Sequence, residues 1–102
     1  MKQTFENLNE SVINWAQQRG ITGKENSRNQ FIKTVEETGE LASALLKNDR
    51  EKLIDSLGDV LVTLIILSHN EELDIVECLE SAYNEIKDRK GKTVNGSFIK
   101  ND

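Results

Sequence analysis

The chain has no proline in 102 residues, one cysteine, one histidine and six glycines. Without proline, nothing interrupts long helices, and collagen-like, Pro-rich and Gly/Ser-linker classes are excluded. The same absence disfavours a loop-rich β-sandwich. The lone Cys78 excludes an intramolecular disulfide and a multi-cysteine zinc site, so a reducing, cytoplasmic setting is expected. Neither His69 nor Cys78 stands in a Ser/His/Asp or Cys/His arrangement, so no side-chain nucleophile is on offer. An excess of basic charge is missing too. Lys plus Arg is 13 and Asp plus Glu is 18, a net charge of −5. Phosphate neutralisation dominates duplex binding, so no nucleic-acid partner is expected. The longest apolar run, Val60 to Leu67, is far short of the roughly 20 residues that span a bilayer, and no membrane partner is expected. The N-terminal MKQTFENLNE has no apolar core and does not read as a signal peptide.

What is present is a lean hydrophobic content of 36%, distributed with helical periodicity. It suits one domain with a modest core, part of whose stability comes from self-association. The pattern predicts an all-α, four-helix antiparallel bundle over residues 1–102, with a helical core over about 5–90 and a short basic tail over 91–102. The first helix runs over 5–19 and stops at Gly20. The second opens on Ser27-Arg28-Asn29-Gln30, which has capping-box spacing with Ser27 as N-cap. Phe31, Val35, Ala42 and Leu45 form its predicted core stripe, and it ends near Asn48. The third starts at Asn48 or Asp49 and runs to about His69. Its Val60–Leu67 segment is apolar all round, which predicts burial on every side and a contact between subunits through Ile65 and Ile66. The fourth opens on Asp74-Ile75-Val76-Glu77 and runs to about Lys90. In the tail, Asn95-Gly96 signals a tight turn, and Phe98 and Ile99 call for cover from the helices or from a neighbouring subunit.

The informative residues are acidic. Glu36, Glu37 and Glu40 lie within five positions on the second helix, and Asp55 and Asp59 are i,i+4 on the third. Two antiparallel helices joined by a short turn bring these patches opposite each other. Periodicity also permits the glutamates an ordinary solvated face, since they lie opposite the Phe31 stripe. Asp55 and Asp59 are different: they share a stripe with Val62 and Ile66, which brings charge close to a core. Converging carboxylates suit a hard divalent cation such as Mg²⁺, which takes oxygen ligands and keeps waters and substrate phosphates in its shell.

Glu36-Glu37-Thr38-Gly39-Glu40, a spacer, and Asp55-Ser56-Leu57-Gly58-Asp59-Val60 resemble the MazG-type nucleotide pyrophosphohydrolases of the all-α NTP pyrophosphatase superfamily. Their signature is E-E-x-x-E, a spacer, then E-x-x-D. The likeness extends over residues 15–89 and is greatest to the small single-domain members of Gram-positive bacteria and their phages. The resemblance implies Mg²⁺-dependent hydrolysis of a (deoxy)nucleoside triphosphate to monophosphate and pyrophosphate, with Mn²⁺ as a substitute cation. It implies Glu37, Glu40 and Asp59 as metal ligands, with Glu36 as an outer ligand or orienting the attacking water. The family's remaining Glu falls on Ser56; Asp55, one position earlier, is the candidate replacement.

A triphosphate also needs cations. Lys33 precedes Glu37 by four residues, a spacing that suits a salt bridge or a phosphate contact. Lys87, Arg89, Lys90, Lys92 and Lys100 crowd the C-terminal end. The resemblance implies a nucleotide contact for Asn84 and Lys87, with Arg89 a further candidate, and a base contact for Trp15 with Asn14 or Gln18. It also implies a homo-oligomer, dimer or tetramer. Two other functions fit the same residues. One is a catalytically weak helical module that binds a nucleotide or a partner protein, which Ser56 keeps open. The other is a pyrophosphohydrolase of the same superfamily acting on a phosphoribosyl-nucleotide.

Overall fold

The computed structural model describes residues 2–101. It contains four helices, as the periodicity predicts: α1 (Phe5–Gln18), α2 (Ser27–Leu46), α3 (Arg50–Asn70) and α4 (Ile75–Ile86). A 3-10 turn, Lys24–Asn26, leads into α2. The tail is a two-stranded antiparallel hairpin, β1 (Gly91–Val94) and β2 (Ser97–Lys100). Asn95 and Gly96 both take positive φ, 51° and 80°, as a two-residue hairpin turn requires.

Side-chain caps fix three helix starts. Thr4 Oγ1 accepts from the Asn7 amide at 3.0 Å, Asp49 Oδ1 from Lys52 at 3.1 Å, and Asp74 Oδ1 from Val76 at 2.9 Å. The capping box expected at Ser27 does not form. Asn26 holds the cap position without a side-chain cap bond, and the Ser27 hydroxyl instead donates to the Glu71 carboxylate at the far end of α3. A charge-assisted tertiary bond takes the hydroxyl from the local one. Helix α4 also ends earlier than expected: the Arg89 amide closes a turn on the Ile86 carbonyl, and the chain leaves for the hairpin.

The three helix-to-helix connections share one stop. Gly20, Asn48 and Glu72 adopt φ of 71°, 55° and 61°, and the next amides, of Ile21, Asp49 and Leu73, reach back to the carbonyls of Ala16, Ala44 and Ser68. This satisfies carbonyls that a helix end leaves unpaired. The Asn48 stop folds α3 back antiparallel to α2. Halfway along, Thr34 Oγ1 donates to Thr63 Oγ1 at 2.9 Å, which donates on to the Val60 carbonyl at 2.7 Å. At the other end, Asn70 Oδ1 accepts from the Gly23 amide at 2.9 Å, tying the loop after α1 to the end of α3.

Two expectations about faces are corrected. The inward stripe of α2 is Gln30, Thr34, Glu37, Leu41 and Ala44, while Phe31, Val35, Ala42 and Leu45, the predicted core stripe, are exposed. Helix α3 is not buried on every side: Ser56, Thr63, Ile65, Ile66 and Asn70 are, whereas Ile54, Leu57 and Leu61 face outward. Ile65 and Ile66 are thus core of their own chain, not a contact surface. The buried apolar set among the described residues is Ala16, Ala44, Ile65 and Ile66, interleaved with Asn9, Gln30, Ser56, Thr63 and Asn70. No residue of α4 is fully buried. Helix α3 has the length and hydropathy of a membrane-crossing segment, and it packs against α2 and α1.

Candidate active site

The antiparallel α2–α3 pair sets Glu37 and Glu40 against Asp55 and Asp59. A cavity of about 400 Å³ opens between the helices near their connection, lined by Glu40, Asp49, Glu51, Lys52, Asp55, Ser56 and Asp59. Five carboxylates therefore face one lysine there. Glu37 sits just inside, half-buried on the inward stripe. Its carboxyl is held above the ordinary carboxylate value, first by burial, then by the Glu40 charge and a hydrogen bond with Glu40, and further by Asp59 and Glu36. Its Oε2 is buried and has no hydrogen-bond partner.

This arrangement fits a hard divalent cation. The donors are all oxygens, one of them is buried and unpaired, and crowding favours the protonated form that a cation would displace. Among the described residues no three acidic, histidine or cysteine side chains meet at one point. The carboxylates ring the cavity instead, with Asp55 and Asp59 exposed on its wall. Ser56, where the resemblance puts a Glu, is only 3% exposed, and its neighbour Asp55 has the solvent-facing position.

Apart from Lys52, the basic residues stay off this cavity: none of Lys33, Lys87 and Arg89 lines it within one chain. Lys33 Nζ lies 3.7 Å from Glu36 Oε2, an i,i+3 pair rather than the expected i,i+4 one. Arg89 pairs with Glu85 at 3.6 Å and lines a separate cavity of about 600 Å³ with Asp88, Lys90, Lys100 and Asn101. Asn84 and Lys87 are exposed on and just beyond α4 and line neither cavity. Trp15 is half-exposed on α1, with the Arg19 guanidinium 5.2 Å from its ring centroid; Asn14 and Gln18 are exposed beside it. One residue escaped the sequence reading. Asn9 is 7% exposed, and its Oδ1 has no partner. Its signal was the i, i+3, i+4, i+7 series with Val12, Ile13 and Ala16, a polar residue on an apolar stripe.

The family model of the MazG nucleotide pyrophosphohydrolase domain matches residues 26–94, from the start of α2 through β1. The chain belongs to the MazG family. The match takes in both acidic helices and leaves α1 outside. A relative from Haemophilus phage HP1 (strain HP1c1), described as an uncharacterized 18.2 kDa protein in the rep-hol intergenic region, is 35% identical over 72 residues. The aligned stretch covers 71% of this chain and 44% of the phage protein, so the chain spans less than half of that relative. The matched model describes a nucleotide pyrophosphohydrolase domain, and both acidic helices lie within the matched residues.

Proposed function

We propose that this protein is a Mg²⁺-dependent nucleoside triphosphate pyrophosphohydrolase that cleaves the α–β anhydride of a (d)NTP with water, giving (d)NMP and pyrophosphate. Mn²⁺ would substitute, and the role is clearance of unwanted nucleotides from the cytoplasmic pool. The observation that carries this is Glu37: a half-buried carboxyl with an unpartnered oxygen, crowded by Glu40, Asp59 and Glu36. A cation beside such a group favours its charged form.

Glu37, Glu40, Asp55 and Asp59 would hold the cation, which supplies charge neutralisation at the bridging and leaving oxygens. Glu36 stands at the outer side of the cluster, where it orients water. Without a cation Glu37 holds its proton more tightly than an ordinary glutamate does, and binding of the cation displaces that proton. Asn84, Lys87 and Arg89 supply polyphosphate contacts, Lys33 screens Glu36, and Trp15 offers the base a flat apolar surface. The exposed apolar faces of α2 and α3 support a homo-oligomer, dimer or tetramer.

A second reading has one observation in its favour. Ser56 is buried where the family has a carboxylate, which lowers the donor count and suits a module that binds nucleotide with little turnover. A release assay separates them. The full chain is incubated with each common NTP and dNTP and with a phosphoribosyl-nucleotide, with Mg²⁺ or EDTA, and products are resolved by anion exchange. Monophosphate plus pyrophosphate, only with Mg²⁺, is expected from the triphosphates. Saturable nucleotide binding without products would favour the binding module, and turnover of the phosphoribosyl-nucleotide alone would reassign the substrate.

A further inference from the structure

The hairpin Gly91–Lys100 does not pack its backbone against any helix of its own chain and meets α4 only across the cavity that Lys100 shares with Glu85. Every residue of both strands is exposed. An isolated two-stranded hairpin is marginal in water and normally needs packing on one face. The two faces here differ. Thr93 pairs with Phe98, and the Phe98 ring lies over Gly91, where an added Cβ would stand 2.7 Å from the ring carbon Cζ. That face partly covers itself. On the other face Lys92 pairs with Ile99 and Val94 with Ser97, a small apolar patch bearing one cation and covered by nothing in its own chain.

We propose that this face of the hairpin docks on a second copy of the chain, against the open end of that copy's acidic α2–α3 cavity, with Lys92 turned toward the carboxylates. Two complementarities select this occupant. In charge, residues 87–100 hold Lys87, Arg89, Lys90, Lys92 and Lys100 against Asp88, while the cavity sets five carboxylates against Lys52. In apolar surface, Leu46, 85% exposed, and Ile54 stand at the same end of the α2–α3 pair and offer Val94 and Ile99 a surface to cover. The dimensions agree. The radius of gyration is 16.0 Å, against about 13 Å for a compact domain of this length, as expected of a chain that extends an arm. The inference rests on the pyrophosphohydrolase reading only for its purpose: Lys92 would add a second cation to a neighbour's site where Lys52 alone faces five carboxylates, and would position the polyphosphate there.

The test is a cysteine pair in the full chain, K52C with K92C on a C78S background, oxidised mildly and run without reductant. Covalent dimers joined through 52–92, identified by peptide mass and exceeding those of each single-cysteine control, are expected. An oxidised monomer with an internal 52–92 link, or no link above the controls, overturns the proposal. Neither outcome depends on turnover, so an inactive protein leaves this result intact. If the chain is active, co-refolding D59N with K92E at equal amounts should restore about a quarter of wild-type activity, since half of the dimers are mixed and each of those has one complete site. Activity no greater than the sum of the separate variants would place Lys92 in its own chain.

Discussion

At the scale of residues, Glu37 sets the pH behaviour. Its folded value lies above the ordinary 4.5, so its contribution to stability is greatest below that value and is lost as pH rises through the raised one. Glu37→Gln should therefore raise the melting temperature by a few degrees at neutral pH in EDTA and remove most of the stabilisation by Mg²⁺. A lower melting temperature would show that the carboxylate is already compensated. Glu71 works in the opposite sense. The Ser27 hydroxyl, and secondarily Lys24, hold its carboxyl below the ordinary range, so its stabilisation is present above that range and fades as pH falls through the depressed value. Around the cavity, Glu40→Gln and Asp59→Asn should each reduce Mg²⁺-dependent turnover by roughly 100-fold or more with helical circular dichroism unchanged. Asp55→Asn should impair turnover far more than Ser56→Ala, because Asp55 brings an exposed carboxylate to the cavity wall and Ser56 only a buried hydroxyl. The reverse ranking would return the ligand position to Ser56.

At the scale of elements, helix endings were legible from sequence where small polar or glycine residues allow positive φ. Gly20 and the Asn95-Gly96 turn announced themselves, and Asn48 was close to the expected join. Glu72 was not readable as a stop, because glutamate has no preference for that conformation; the connection is imposed by Leu73 bonding back to Ser68. Glu72→Gly should stabilise the fold by up to about 1 kcal/mol, measured by denaturant unfolding. A loss of stability would mean that the Glu72 side chain contributes more than its backbone costs. Both acidic patches and their facing arrangement were visible in the spacing. Which face of α2 packs on α3 was not. That helix carries one apolar face and one mixed face, and periodicity favours the apolar one; the mixed stripe with Gln30 and Thr34 won because Thr63 and a partly polar α3 surface stood ready to pair with it. The separation of the basic group from the acidic one was equally beyond sequence, since it depends on where α4 leaves the bundle.

At the scale of the whole molecule, the buried apolar set is small and the exposed one large: Phe31, Val35, Leu45, Ile54, Leu57 and Leu61 all lie outward on the two central helices. A chain built this way should be stabilised by mass action. The melting temperature is expected to rise with protein concentration. Leu57→Lys should lower the sedimentation mass while sparing the helices, whereas Ile65→Lys should unfold the chain. Identical behaviour of the two variants would place the association surface elsewhere.

The free-standing hairpin has a consequence for handling the protein. The approach to it offers trypsin Lys87, Arg89, Lys90 and Lys92 within six residues, all exposed in the single chain. A brief digestion should clip the last ten or so residues and leave α1 to α3 whole. The rate of that clip, followed by intact mass, is then a clock for arm coverage: fast in dilute samples and slowed wherever another molecule shields the strand pair.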